Sequence, residues 1–237
     1  MSATPWKTLD GDIAECTRCP RLIGHCRETA RVKRRMYRDE TYWGRPVPGF
    51  GDRNARLLFL GLAPGAHGAN RTGRMFTGDR SGEFLYAALH RAGLASAPAS
   101  SSRNDGLRLS GAYITNVCRC APPANRPSRE EIERCRPFLD RELDGLRRLR
   151  VVVALGKVAW DAALRRARAL APEAFPKPVP AFGHGAEATL TLRRGGPGLT
   201  LLGSYHPSQQ NTQTGRLTRS MFAKVVRRAC RLAEGRR

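Results

Sequence analysis

Four short apolar runs, residues 56–62, 112–117, 151–155 and 199–204, constrain this chain more than any other feature. Each is a continuous block rather than an alternation of polar and apolar residues, the pattern of a strand covered on both faces. Each is followed by a turn and a stretch able to form a helix, at 81–92, 128–146, 156–170 and 216–234. That alternation predicts an α/β fold, a parallel sheet with helices on both sides. Ser128 and Glu131 have the spacing of a capping box, and Pro127 stops anything upstream from continuing. Pro137 predicts a kink or break just after Cys135. Residues 95–106, rich in Ala, Ser and Asn, and 172–198, with several Pro and Gly, read as loops.

A chain of 237 residues is long enough for one domain with a sizeable core, so residues 1–237 are expected to form a single domain. Its 42 Lys and Arg against 20 Asp and Glu leave a net charge of +22, which points to a polyanionic partner. Arginine richness can also serve solubility alone, and the basic run 31–38 reads either as a solvated face or as a phosphate contact. Residues 1–15 carry acids and no apolar leader, and no segment reaches membrane-spanning length, so a cytoplasmic protein without membrane contact is expected.

In a reducing compartment, seven cysteines point to metal or cluster ligation before disulfides. Cys16 and Cys19 form a C-x2-C pair, and Cys120 and Cys135 lie beside a strand end and a helix. Four thiolates suffice for zinc or for a [4Fe–4S] cluster, spacing alone does not separate the two, and unliganded buried cysteines are the alternative. Cys26, Cys118 and Cys230 remain over, with Cys118 and Cys120 expected to face opposite ways.

In open parallel sheets, ligands bind beyond the carboxyl ends of the strands. Here those ends carry residues 61–79, 116–125, 156–157 and 204–216, rich in Gly, Pro, His, Asn and Gln. Taken alone, Gly61, Gly65 and Gly68 are turn residues and Asp79 or Ser81 a helix cap. The first loop, the segment 114–123, the His206-Pro207-Ser208 loop and the terminal C-x2-C pair together resemble the iron–sulfur uracil-DNA glycosylases, specifically family 5, the UdgB type.

That resemblance runs from about Cys16 to the last helix and implies a three-layer αβα sandwich around a four-stranded parallel sheet. It implies a [4Fe–4S] cluster on Cys16, Cys19, Cys120 and Cys135, holding loops that meet DNA. Gly61, Ala63, Phe76 and Asn116 would line the base pocket, Phe76 stacking on a flipped base and Asn116 reading its edge. His206 would donate to the base oxygen as charge develops, and Asp79 would activate water or stabilise the sugar cation. Related families place an acid or Asn where this chain has Ala63, so other deaminated bases such as hypoxanthine join uracil as expected substrates.

The loop 209–218 is expected to enter the minor groove through Gln209, Asn211 and Arg216, with Leu217 either filling the gap left by the base or beginning the last helix in the core. The expected partner is damaged DNA, duplex or single-stranded, met by a monomer at the nucleoid. The rival reading is a zinc-stapled nucleic-acid binder without enzymatic activity.

Overall fold

The computed structural model describes residues 6–235. Its strands are β1 (Phe50–Gly51), β2 (Leu57–Gly61), β3 (Ala112–Asn116), β4 (Val151–Leu155), β5 (Glu187–Leu190) and β6 (Leu199–Ser204). The helices are α1 (Trp6–Ala14), α2 (Pro20–Val32), α3 (Ala69–Thr72), α4 (Arg80–Arg91), α5 (Arg129–Gly145), α6 (Lys157–Leu170), α7 (Gln209–Gln213) and α8 (Arg219–Ala233).

The sheet order is β1-β3-β2-β4-β6-β5. The four strands read from the apolar runs form its parallel centre, and β1 and β5 add antiparallel edges. The expected four-stranded sheet is therefore the core of a six-stranded mixed one. Alternation along the strands sorts the side chains into two layers. Leu57, Phe59, Ile114, Val151 and Val153 face Leu85, Leu89, Phe222 and Val225 of α4 and α8. Leu58, Leu60, Tyr113, Val152 and Ala154 face Leu139, Leu143, Trp160 and Leu164 of α5 and α6. This is the αβα sandwich.

Three local expectations meet different outcomes. The capping box forms, Ser128 Oγ accepting from Glu131 N at 3.2 Å while Glu131 Oε2 accepts from Ser128 N at 2.7 Å. Pro137 does not break α5, which runs on from Arg129 to Gly145. Phe138, Leu139 and Leu143 lie buried beyond the proline, and their packing outweighs one lost backbone hydrogen bond. The stretch 172–198 is not all loop, because β5 pairs with β6 there. Its half-exposed Glu-Ala-Thr-Leu sequence lacks a continuous apolar signal.

The N-terminal helices frame one side. Leu9 and Ile13 of α1 pack on Phe138 of α5, and ion pairs Arg53–Asp10 and Arg141–Asp12 hold it there. No helix among the described residues is long and apolar enough to cross a membrane. The stretch 1–15, expected to carry no apolar leader, lies partly outside the described residues.

Candidate functional site

The parallel strands run out at one pole, and there the register sets Gly61 of β2 beside Asn116 of β3. Glycine at 61 is required by close approach. A Cβ there would lie 2.3 Å from Asn116 Oδ1 and 2.8 Å from Phe76 Cζ. The vacancy lets the amide and the ring face one cavity of about 290 Å³, lined by Ala63, Phe76, Asp79, Asn116, Asn125 and His206 among others.

Asn116 is 1% exposed. Its Nδ2 donates to Met75 Sδ at 3.0 Å, a weak acceptor, and its Oδ1 has no hydrogen-bond partner. A buried carbonyl oxygen without a donor is costly, and at a cavity wall it is an invitation to a ligand N–H. Phe76 is held in the left-handed region at φ 52°, a strained conformation for an aromatic residue. It belongs to the core cluster and to the cavity wall at once, so one face of the ring packs inward while the other is open to the cavity. The ring of His206 lies 6.0 Å from it, centroid to centroid.

Asp79 is the N-cap of α4 and also lines the cavity. Its Oδ1 accepts from Gly82 N at 2.9 Å and caps α4. Its Oδ2 lies over the first loop, where a Cβ on Gly65 or Gly68 would sit 2.7 or 2.0 Å from it. Burial pushes the Asp79 carboxyl up, against the pull of the Gly82 and Ser81 amides. Burial also depresses His206 to about 4, so the imidazole is neutral at pH 7. Arg71, 7% exposed, steadies this loop, its Nε donating to His67 O and its Nη2 to Gly78 O, both at 2.8 Å.

The 209–218 segment differs from the expected loop. Residues 209–213 form α7, and Asn211 Nδ2 donates to His206 O at 2.8 Å, so that amide positions the histidine backbone. Gln209 is exposed, and the neighbouring Gln210 lines the cavity. Arg216 is exposed with its guanidinium 4.8 Å over the Tyr205 ring. Leu217 is fully buried in the core with Phe222 and Val225, just ahead of the N-cap Thr218 of α8, the position that the core reading expects rather than an exposed wedge. Its apolar side chain gains more from that core than an exposed loop tip offers.

Asn125 was not singled out from the sequence. It lines the cavity from a left-handed turn, with Ala124 at φ 51° and Asn125 at φ 55°. The signal lay in Pro122-Pro123-Ala124-Asn125, since Asn tolerates that region better than most residues.

Cys16 and Cys19 occupy the turn into α2, Cys120 the turn after β3, and Cys135 lies on α5. Cys19 and Cys120 share one small apolar cluster; Cys16 and Cys135 pack beside another. The four lie close enough for their charges to interact: burial first, and then Cys135, raises Cys19, while Cys26 first, and then burial, raises Cys120, with Cys135 and Cys16 adding to the rise. The Arg119 amide donates to Cys135 Sγ at 3.3 Å, and its guanidinium is buried in an ion pair with Glu142 at 2.6 Å. Cys118 and Cys120 do face different apolar clusters, but not through strand alternation, which puts residues two apart on one face: β3 has ended at Asn116, and the turn beyond it separates them. Each meets another thiol: Cys118 contacts Cys135, and Cys26 contacts Cys120. Among the described residues, no three His, Cys, Asp or Glu side chains converge to hold a single metal ion.

The chain resembles known proteins over most of its length. The family model described as "Uracil DNA glycosylase superfamily" matches residues 48–230. A type-5 uracil-DNA glycosylase of Mycobacterium tuberculosis is 53% identical over 226 residues, covering 95% of this chain and 81% of the relative. Type-5 uracil-DNA glycosylases of Thermus thermophilus and Pyrobaculum aerophilum are 52% and 46% identical, over 93% and 92% of this chain and 95% and 88% of theirs.

Proposed function

The chain belongs to the type-5 branch of the uracil DNA glycosylase superfamily, and we infer that it cleaves the N-glycosidic bond of uracil in DNA during base excision repair. The observation that carries the pocket assignment is the orphaned Asn116 Oδ1, a buried acceptor in a cavity wall beside an aromatic face. Uracil N3–H is the complementary donor. A base stacked in a duplex is out of reach, so the nucleotide leaves the helix and its base enters between Phe76 and the polar wall.

In the hydrolysis, the C1′–N1 bond breaks with its electron pair passing to the base, and a water oxygen bonds to C1′ and loses a proton, with one proton finally taken up by the departing base anion. Positive charge grows on the sugar and negative charge on the base. A neutral His206 donates a hydrogen bond to the developing oxyanion, and the low polarity that depresses its pKa strengthens that bond. Asp79, held by the α4 amides, presents Oδ2 as the anion facing the sugar. Asn125 supplies a second polar group at the cavity wall. Ala63 leaves that wall apolar beside the base, which supports acceptance of other deaminated bases such as hypoxanthine. Arg216, exposed near the cavity, fits a phosphate contact.

Cys16, Cys19, Cys120 and Cys135 would hold a [4Fe–4S] cluster. The donor set fits: four thiolates in mutual range, an amide donating to Cys135 Sγ and a buried cation in Arg119 are what an anionic cluster requires. A cubane is wider than one ion, so its ligands need not converge as for zinc. When bound it acts as a brace, joining the start of α2 to the turn after β3 and to α5. On this reading residues 1–237 work as one domain.

The test is release of base from duplex DNA holding one uracil, by wild type, Asp79→Ala and His206→Ala. Loss of about 10²-fold or more in each variant is expected, and a fully active Asp79→Ala would remove that residue from the mechanism. Iron and sulfide analysis of wild type and Cys16→Ser tests the cluster; a colourless wild type with stoichiometric zinc would reject it.

A further inference from the structure

The strands begin at the pole opposite the cavity, and a different kind of site lies there. Arg56 precedes β2, Arg147, Arg148 and Arg150 lie between α5 and β4, and Arg193 lies between β5 and β6. These five side chains, from three separate segments, surround one concavity of about 260 Å³ that no acidic residue lines. Arg193 is fixed in its wall, Nη1 donating to Leu146 O at 3.2 Å and also to Arg147 O. The other four are exposed.

Elsewhere buried or half-buried arginines are matched to acids, as in Arg119–Glu142, Arg166–Asp140 and Arg228–Glu187. Acids are outnumbered 20 to 42 by Lys and Arg, and five of these arginines surround one hollow. Five like charges this close repel one another in the free protein, and an anion relieves that repulsion. A run of phosphates spaced along a backbone matches several guanidinium forks at once, which a single small anion does not.

The two poles are separated by the length of the strands. Five residues of β2 or β4 at about 3.3 Å each place the arginines about 16 Å below the cavity pole. A duplex lying across the cavity mouth does not reach them. We propose that this arginine hollow is a second phosphodiester-binding surface, which holds another stretch of DNA while the cavity engages a lesion. It lies beyond the glycosylase reading and does not depend on the catalytic roles given to Asp79 and His206.

The test is capture of one duplex by another. A duplex carrying a non-cleavable abasic-site analogue is immobilised and loaded with full-length protein to occupy the cavity pole, and a labelled lesion-free duplex is added. Wild type is expected to retain the labelled duplex, with retention falling steeply as salt rises. The variant Arg147→Gln/Arg148→Gln/Arg150→Gln should lose capture by about tenfold or more, and its salt slope should fall by about 2.7, or 0.9 for each lost contact. Its uracil release from a short single duplex should stay within about twofold of wild type, and its melting temperature should be unchanged. Exposed arginines 91, 227 and 231, changed to Gln together, serve as a control for diffuse charge. Failure of wild type to capture a second duplex, undiminished capture by the triple variant, or equal loss in the control would each overturn the site. A wild type that captures the second duplex but releases no uracil would refute the catalytic reading alone.

Discussion

Gly68→Ala isolates the geometry of one carboxylate. A Cβ at residue 68 would stand 2.0 Å from Asp79 Oδ2, 2.7 Å from its Cγ and 3.0 Å from its Cβ. The carboxylate is clamped on its other side by the bond from Gly82 N to Oδ1, so it must swing away by about 1 Å or more to restore van der Waals distance. A displacement of that size costs about 10²-fold in rate, about 2.7 kcal/mol in the barrier. Weakening the cap costs about 1 kcal/mol of stability, which for a chain of this size lowers Tm by about 2–4 °C. The assay is single-turnover release of uracil with thermal melting alongside. Gly68→Ala should lose rate far more than stability, and in the Asp79→Ala background it should cost almost nothing further, because the group it displaces is gone. An equal loss in both backgrounds, or a wild-type rate in the folded single variant, would refute the reasoning.

Asn116→Ala should weaken transition-state binding of uracil by about 1–3 kcal/mol with little loss of fold stability, since Oδ1 has no protein partner to lose; equal rates for wild type and variant would remove the base-reading role. Leu217→Ala empties a core position and should cost about 2–5 kcal/mol of stability; an unchanged melting temperature together with lost base flipping would restore the wedge.

For pH, the two site groups act in opposite senses. His206 is depressed from 6.5 to about 4, so its stabilising contribution is present above 6.5 and is lost as pH falls from 6.5 towards 4. His206→Gln should flatten the melting temperature across that window, and activity should show no histidine limb near 6.5. Asp79 is raised, so its neutral form stabilises the fold below the ordinary carboxyl value near 3.8, and this is lost as pH rises through the folded value. The acid limb of activity should therefore lie above 3.8; a limb at or below it would contradict the buried carboxylate.

Much of this molecule was legible before any coordinates. The apolar runs became the four parallel strands within a residue at each end, because an uninterrupted run of β-branched and aliphatic residues has few alternatives in water. Ser128 and Glu131 announced the start of α5, since a capping box is complete within four residues. The polar strand ends marked the pole that carries the cavity, and Phe76, Asp79, Asn116 and His206 do meet there.

What the sequence left open depended on atoms far apart along the chain. Nothing local tells that Gly65 and Gly68 are vacated for the carboxylate of Asp79, that Asn211 holds the backbone of His206, or that Asn125 turns into the cavity. Leu217 reads equally as wedge or core until the position of Phe222 is known, and Pro137 reads as a break until the packing that overrides it appears. β5 has no signal of its own because its partner β6 supplies the pairing. Periodicity and capping are short-range and survive in a one-dimensional string, whereas burial, orphaned acceptors and charge proximity are set by which segments the sheet brings together. The sequence by itself therefore determined the four central strands, the main helices after them and the pole that carries the cavity. Only the tertiary structure decided which oxygen of Asp79 lies over the first loop, which side chains line the cavity and which five arginines surround the hollow at the opposite pole.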